Sequence, residues 1–229
     1  QVNVGGLIAS TRDISNADFI AGRYIFGTAR YDMKEMLKNL VNDGNITARE
    51  GGFAVLIGSA VENNGVIHAP LGNVSLASGD VVTVGISGDG MVSIAIDQPV
   101  SGEVLDLNGN KVSDQISNKG ALNAGGGHVI IKADAVKNIF HQAVNLEGHI
   151  RADRAVMKNG VIEIVASGSI DADAEVSAQG GEITVSSEES IEVQGTYKAP
   201  EGKVTFEAGE AIAITGETST QGDTTFGAR

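Results

Sequence analysis

A repeat of about 21 residues runs through this chain and restricts the folds it can adopt. The segments VNDGNITAREGGFAVLIGSA and VENNGVIHAPLGNVSLASGD follow each other from Val41 and Val61. Counted from Gly65, the second segment has an apolar residue at +2, Ala at +4, Gly at +7 and apolar residues at +9 and +11. Self-similarity at a fixed period is typical of repeat architectures, in which each unit packs against its neighbours.

Later units keep the same offsets. Ala174, Gly195 and Gly216 occupy the first position of successive units and lie 21 residues apart, and another unit begins at Gly120. The unit that begins at Gly148 has a turn about five residues longer before its second alternating run. The N-terminal run also has the order Asn, Gly, apolar residue, Ala at the repeat's spacing, so we predict that it opens the first coil in the common register: Asn3, Gly5, Leu7, Ala9.

Alternation of apolar and polar residues within each unit predicts short strands with one buried face, separated by turns in which glycine is permitted. Coils stacked about 4.8 Å apart would bury a continuous core and pair each strand with those above and below. Aromatic residues make up 4% of the chain and Trp is absent, so Val, Ile, Leu and Ala must fill that core. We predict an all-β fold, a single right-handed parallel β-helix of about eight coils.

Three asparagines share one position in the repeat. Asn42, Asn63 and Asn118 each lie two residues before the first glycine of a unit. Stacked in adjacent coils, their amides would form a hydrogen-bonded ladder inside a corner. The alternative is that they simply favour turns.

Two segments interrupt the repeat. Between Ala77 and Ser117, two alternating runs flank the tripeptide GDG, which predicts a β-hairpin or small sheet outside the helix that covers one face. Earlier, the run YDMKEMLKNL predicts a short packing helix, with an irregular loop as the alternative. Its apolar residues at helical spacing are Met33, Met36, Leu37 and Leu40.

Four runs, in order, resemble the haemagglutination activity domain, which is the secretion domain of filamentous haemagglutinin and of high-molecular-weight adhesins exported by two-partner secretion. They are VNVGGLIASTRDISNADFIAG, VNDGNITAREGGFAVLIG, VENNGVIHAPLGNVSLASGD and GDGMVSIAID, and GGLIAST with the following DIS and DF is the most specific part. The resemblance assigns residues 1–135 to the later part of that domain and residues 136–229 to a continuing β-helical stem.

The resemblance implies a bacterial exoprotein that leaves a Gram-negative cell through a dedicated outer-membrane β-barrel transporter. It further implies adhesion, with a receptor or glycan on a host or neighbouring cell as the partner. The family's Asn-Pro-Asn motifs do not occur here, so we interpret the chain as part of a longer protein and place no transporter-recognition residues on it. The alternative within the same group is the stalk of a contact-dependent growth-inhibition toxin.

Composition and spacing disfavour other functions. The net charge of −13 is spread along the chain, which disfavours nucleic acid as a partner. A polysaccharide-processing enzyme needs carboxylates, often with basic groups, that converge from adjacent coils. Asp171, Asp173 and Glu175 alternate as if projecting from one strand, and their neighbours in the next coil supply an acidic pair without a basic partner: Glu192, Gln194 and Thr196. We therefore predict a solvated acidic face, no catalytic residues and no enzyme.

Two further motifs have plain structural explanations. His68 and His149 occupy outward positions without metal-ligand spacing, and Arg151 lies beside His149 on the same face, so we predict no metal and no cofactor. The GGG before His128 predicts a β-helix corner, because no Lys-Ser or Lys-Thr follows it as in a phosphate loop.

The sequence also contains two glycosylation sequons, Asn45-Ile-Thr and Asn73-Val-Ser. They make Asn45 and Asn73 candidate glycosylation sites.

Overall fold

The computed structural model describes residues 1–27, 39–88, 90–153, 160–220 and 222–228. These ranges contain one short helix, α1 (Asn16–Ile20), and a series of β-strands. The strands are β1 Val2–Ser10, β2 Asp13–Ile14, β3 Tyr24–Gly27, β4 Asn39–Asn42, β5 Asn45–Gly58, β6 Ala60–Asn63, β7 Val66–His68, β8 Asn73–Ser78, β9 Val81–Ile86, β10 Val92–Gln98, β11 Asp114–Asn118, β12 Ala121–Asn123, β13 His128–Ala133, β14 Gln142–Leu146, β15 His149–Arg151, β16 Val161–Ala166, β17 Ile170–Ala172, β18 Glu175–Ser177, β19 Glu182–Ser187, β20 Ile191–Val193, β21 Thr196–Ala199, β22 Lys203–Ala208, β23 Ile212–Ile214, β24 Glu217–Thr220 and β25 Thr224–Ala228.

Most strands stack in parallel into three faces. Face 1 consists of β4, β6, β11, β14, β17, β20 and β23. Face 2 consists of the first part of β5 with β7, β12, β15, β18, β21 and β24, and face 3 consists of the second part of β5 with β8, β13, β16, β19, β22 and β25. Strand β1 pairs along β5 at the start of the stack. The predicted parallel β-helix is confirmed.

The inward positions of the repeat form the core. Ile67, Ala69, Val74 and Leu76, at +2, +4, +9 and +11 from Gly65, all have 0% exposure. Corresponding residues in successive coils are paired in register, so the apolar columns continue through the stack. Full burial of each large aliphatic side chain contributes about 1.5–3 kcal/mol, which makes the core a sum of many similar terms.

The glycines of the repeat stack directly on one another. A Cβ on Gly72 would collide with the carbonyl oxygen of Gly52 in the preceding coil, and a Cβ on Gly127 with that of Gly72. A second column has the same property, because a Cβ on Gly120 would collide with the carbonyl oxygen of Gly65. Gly72 does not have a positive φ. Close backbone approach between coils, rather than strained turn geometry, therefore requires glycine here.

The predicted register of the N-terminal run is wrong. Leu7 lies opposite Ala54 on face 3, and not at the level of Ile46 on face 2. Gly5 packs beside Gly52, so it belongs to the corner between faces 2 and 3. A bulge in β5 at this corner shifts the pairing, because residues 49–52 of β5 lie opposite Gly5 alone. The Asn, Gly, apolar, Ala order of this run therefore matches the repeat without sharing its register.

A four-stranded antiparallel sheet, in the order β10-β9-β3-β2, covers the first coils of face 3 from outside. Its β9–β10 hairpin confirms the predicted extra-helical hairpin. Outward apolar residues of face 3, including Val55, Ile57 and Ile130, pack against Val82 and Val92 of this covering sheet. The apolar outer surface of these coils is thus a second, smaller core.

The two helical regions differ from expectation. Helix α1 was not predicted; Ser15 caps it, because its hydroxyl accepts a hydrogen bond from the Asp18 amide at 3.0 Å. The predicted helix containing Met33 and Met36 lies outside the described residues, except that Leu40 at its end belongs to strand β4. No helix in the described ranges has the length and apolar character to cross a membrane.

A buried ion pair joins the covering sheet to the solenoid. The Arg12 guanidinium, whose side chain is fully buried, contacts the Asp80 carboxylate and donates to the Gly79 carbonyl at 3.2 Å. Asp80 also accepts hydrogen bonds from the Ser101 amide and hydroxyl, at 3.0 and 2.6 Å. Burial lowers the pKa of Arg12, and the nearby Asp80 charge opposes that shift. The pair fixes the turn after β1, the turn before β9 and the segment after β10.

Candidate binding surfaces

The predicted asparagine positions meet in a buried corner between faces 1 and 2. Asn42 Nδ2 donates to Asn63 Oδ1 at 2.7 Å, and Asn63 Nδ2 donates to Asn118 Oδ1 at 2.8 Å. Leu146 takes the same position in the next coil, so the amide column stops there. All three asparagines are less than a tenth exposed. Their amide groups therefore hold the corner together and are not presented to a ligand.

The two sequons are placed differently. Asn45 is exposed at the start of β5. Asn73 is 4% exposed, and its Nδ2 donates to the Gly90 carbonyl at 2.9 Å beneath the covering sheet. The folded chain presents Asn45 at its surface and does not present the Asn73 amide.

The three acidic residues that were expected to project from one strand point outward, but they lie on two strands and the corner between them. Asp171 lies on β17 of face 1, Glu175 lies on β18 of face 2, and Asp173 is in the corner between them. The register with the next coil is as the repeat predicts, because Asp171 pairs with Glu192. Burial is the largest cause that raises the pKa of Asp171, followed by repulsion from Glu192 and Asp173. These groups form an acidic band around a corner, in which one Asp171 carboxylate oxygen is buried.

Basic partners of Glu175 were missed at the sequence level. His149 Nδ1 lies 3.1 Å from one Glu175 carboxylate oxygen, and Arg151 Nη2 lies 3.9 Å from the other. Both belong to the preceding coil, whereas the neighbour of Glu175 in the following coil is Thr196, which is uncharged. The side chains of His149 and Arg151 are more than half exposed, so solvent screens the pair strongly.

The remaining candidate motifs lack the geometry of a ligand site. Gly125 and Gly126 form a turn with positive φ between β12 and β13, so GGG is a corner followed by a strand. His68 lies at an outward position of β7, half-buried. Within the described ranges, no group of three or more His, Asp and Glu side chains could hold a metal ion.

A groove of about 730 Å³ lies where the covering sheet ends. Strand β10 forms one wall, and the outer surfaces of β13, β16, β19 and β22 extend away from it. Apolar parts of the lining include Ile94, Ile96 and Val165. The charged residues that line it are Lys132, Asp134, Glu188 and Glu207. Lys132 is paired with Glu163 at 3.0 Å, which leaves the groove acidic.

These features define a class of protein: a parallel β-helix whose first coils carry an extra-helical antiparallel sheet. The solved structure of the HMW1 secretion domain from Haemophilus influenzae is similar, with a TM-score of 0.67 and 25% sequence identity. The alignment covers 98% of this chain and 58% of the other, so this chain spans rather more than half of that domain's length. No family model and no curated protein matches the sequence. The similarity to the HMW1 secretion domain confirms the resemblance inferred from the sequence.

Proposed function

We propose that this chain is the N-terminal β-helical part of a secreted bacterial surface exoprotein, exported by two-partner secretion and acting as an adhesin. Residues 1–135 form the later part of the secretion domain, and residues 136–229 continue it as a stem. The observation that carries the proposal is the similarity to the HMW1 secretion domain over 98% of this chain. An outer-membrane β-barrel transporter is the export partner, and a receptor or glycan on another cell is the binding partner.

The architecture suits export in an unfolded state. Each coil contacts mainly its neighbours, so the chain can fold coil by coil as it emerges from a pore. The chain has no cysteine, so no disulfide can form in an oxidising periplasm before export. Folding at the cell surface would bury the aliphatic core and favour outward movement of the chain.

The outer surface supports a scaffold more than an enzyme. On faces 1 and 2 the outward acidic residues are half-buried or exposed, and in the groove Lys132 is paired with Glu163. A glycosidase-like site instead holds two carboxylates on opposite sides of a bound sugar. We therefore assign binding and extension to this chain, and no catalysis.

Export can be tested by expressing the native gene in strains with and without a gene for a two-partner outer-membrane transporter. We expect the protein at the cell surface or in the medium only when the transporter is present. Retention in the periplasm in both strains would contradict the proposal.

A disulfide clamp sharpens this test. Asn145 and Asp171 are paired on adjacent strands, at a separation suited to a disulfide if both are changed to Cys. The double variant, Asn145→Cys with Asp171→Cys, should stop export under oxidising conditions and recover it with reductant, because the joined coils cannot thread through a pore. Each single Cys variant is the matched control and should be exported normally.

A further inference from the structure

Strand β10 is an open sheet edge. Within the part of the chain that the structure describes, β10 pairs with β9 alone. The backbone amides and carbonyls of every second β10 residue point away from β9 and therefore have no strand partner. The opposite edge of the same sheet is β2, which has only two residues. The covering sheet therefore offers one long edge and one short edge.

The edge of β10 lacks most features that prevent strands from pairing. Natural edge strands commonly carry Lys or Pro, or are interrupted by a bulge. The sequence of β10 is VSIAIDQ, without Lys or Pro, and its one register shift occurs after Ile96. The stretch from Val92 to Ile96 is regular and uncharged. It is a suitable template for an added strand.

The groove beside this edge has the dimensions and surface for one more strand. Strand β10 contacts β8 and β13 below it. Because strands in both sheets are spaced about 4.8 Å apart, a strand added to β10 would lie over β13 and β16. There its inward side chains would meet Val161 and Val165, which are half-buried and outward-facing. The neighbouring Asp134, Glu188 and Glu207 favour basic residues in the added strand.

We propose that this groove binds an extended polypeptide segment of a partner protein, in which apolar residues alternate with Lys or Arg, by strand addition to β10. Backbone hydrogen bonds to β10 supply affinity, and the acidic lining selects basic side chains. This site is independent of export and of adhesion to a distant receptor, so its failure in the test below would leave the proposed function unaffected.

The test uses the 229-residue chain and three fluorescent eight-residue peptides. One peptide alternates Val and Lys, one alternates Val and Glu, and the third is the Val-Lys peptide N-methylated at every residue, so that it has no backbone N–H to donate to β10 from either edge. Anisotropy titration at low salt should give binding of the Val-Lys peptide about tenfold tighter than of either control. Equal binding of the N-methylated peptide would overturn strand addition.

Charge reversal provides the matched protein variants. Glu188→Lys with Glu207→Lys should weaken Val-Lys binding by about tenfold and favour the Val-Glu peptide. The control, Glu192→Lys with Glu217→Lys, makes the same change in net charge at exposed positions outside the groove and should bind as wild type. An equal loss in both double variants would mean that only overall charge matters, which overturns the site.

Hydrogen exchange locates the bound peptide. Binding should slow exchange of the β10 amides that point away from β9 and leave β25, the last strand of face 3, unchanged. Protection confined to β25 would place the peptide on the end of the stack and overturn the proposal. Protection of β10 in the absence of peptide, accompanied by dimerisation in sedimentation, would show that a second copy of this chain is the occupant instead.

Discussion

The covered and the bare coils of face 3 share the same interior but have different exteriors. Inward residues are buried aliphatics in both, as at Val129 in a covered coil and Ile183 in a bare one. Outward residues are apolar where the covering sheet packs on them and polar where it does not. Ile130 packs under the covering sheet, whereas the outward position of the same column two coils later is Thr184. The repeat therefore fixes the inside of every coil, while the outside is determined by what lies against it.

The largest effect should come from a charge inside the core that both regions share. Val129→Asp would bury a carboxylate without a partner and lower the free energy of unfolding by several kcal/mol. Its matched control is Val161→Asp, the same change at an outward, half-buried position one coil later, which should cost less than about 1 kcal/mol. Urea unfolding of both variants checks this, and equal losses would contradict the assigned faces.

The next largest effect tests the attachment of the covering sheet. Asp80→Asn would leave the buried Arg12 guanidinium without its counter-charge, at a cost of about 3 kcal/mol. Hydrogen exchange should accelerate in β9 and β10, and stay slow in β19 and β22 of the bare coils. Removing both charges, with Arg12→Met and Asp80→Asn, should recover part of the loss, since no isolated charge remains buried. A uniform acceleration throughout the stack would contradict a local anchoring role.

A smaller effect separates the two exteriors directly. Ile130→Thr should destabilise the protein by about 1–2 kcal/mol, because it removes apolar contact beneath the covering sheet and buries a hydroxyl. The reciprocal change in the bare region, Thr184→Ile, should be within about 0.5 kcal/mol of neutral. Thermal unfolding measures both changes. If Thr184→Ile destabilised the protein as much as Ile130→Thr, the covering sheet would not explain the difference between these two positions.

The smallest expected effect concerns the acidic band at the corner between faces 1 and 2. The raised pKa of Asp171 means that the folded state binds its proton more tightly than the unfolded state. Its contribution to stability is therefore present at low pH, and it is lost as the pH rises from the unfolded value through the raised folded pKa. Asp171→Asn should stabilise at neutral pH by well under 1 kcal/mol, because solvent screens this partly exposed group. The gain should disappear in acid.

A second variant checks the cause of that shift. Glu192→Gln removes the largest repulsive charge acting on Asp171, so NMR titration should find the Asp171 pKa lower than in wild type but still above its ordinary value, because burial remains. An unchanged pKa would show that the Glu192 charge does not contribute to the shift.

Features of the fold that arise within one coil could be predicted from the sequence, whereas features that depend on contacts between coils could not. Inward positions such as Leu76 and Val185 followed from the repeat, because alternation and period act within each coil. The register of Leu7 did not, since a bulge at a corner depends on which glycine packs against which neighbour. The basic partners of Glu175 were missed for a related reason: each residue in a stack has a neighbour on both sides.

By itself the sequence determined the period, the buried columns, the parallel stack and the resemblance to a secretion domain. These follow from apolar periodicity and from glycine positions, which any coil of this length must satisfy. Only the tertiary structure decided how Arg12 and Asp80 join the covering sheet to the solenoid, and that β10 ends beside an acidic groove. Those features depend on contacts between segments far apart in the chain, and no local pattern in the sequence specifies which segments will meet.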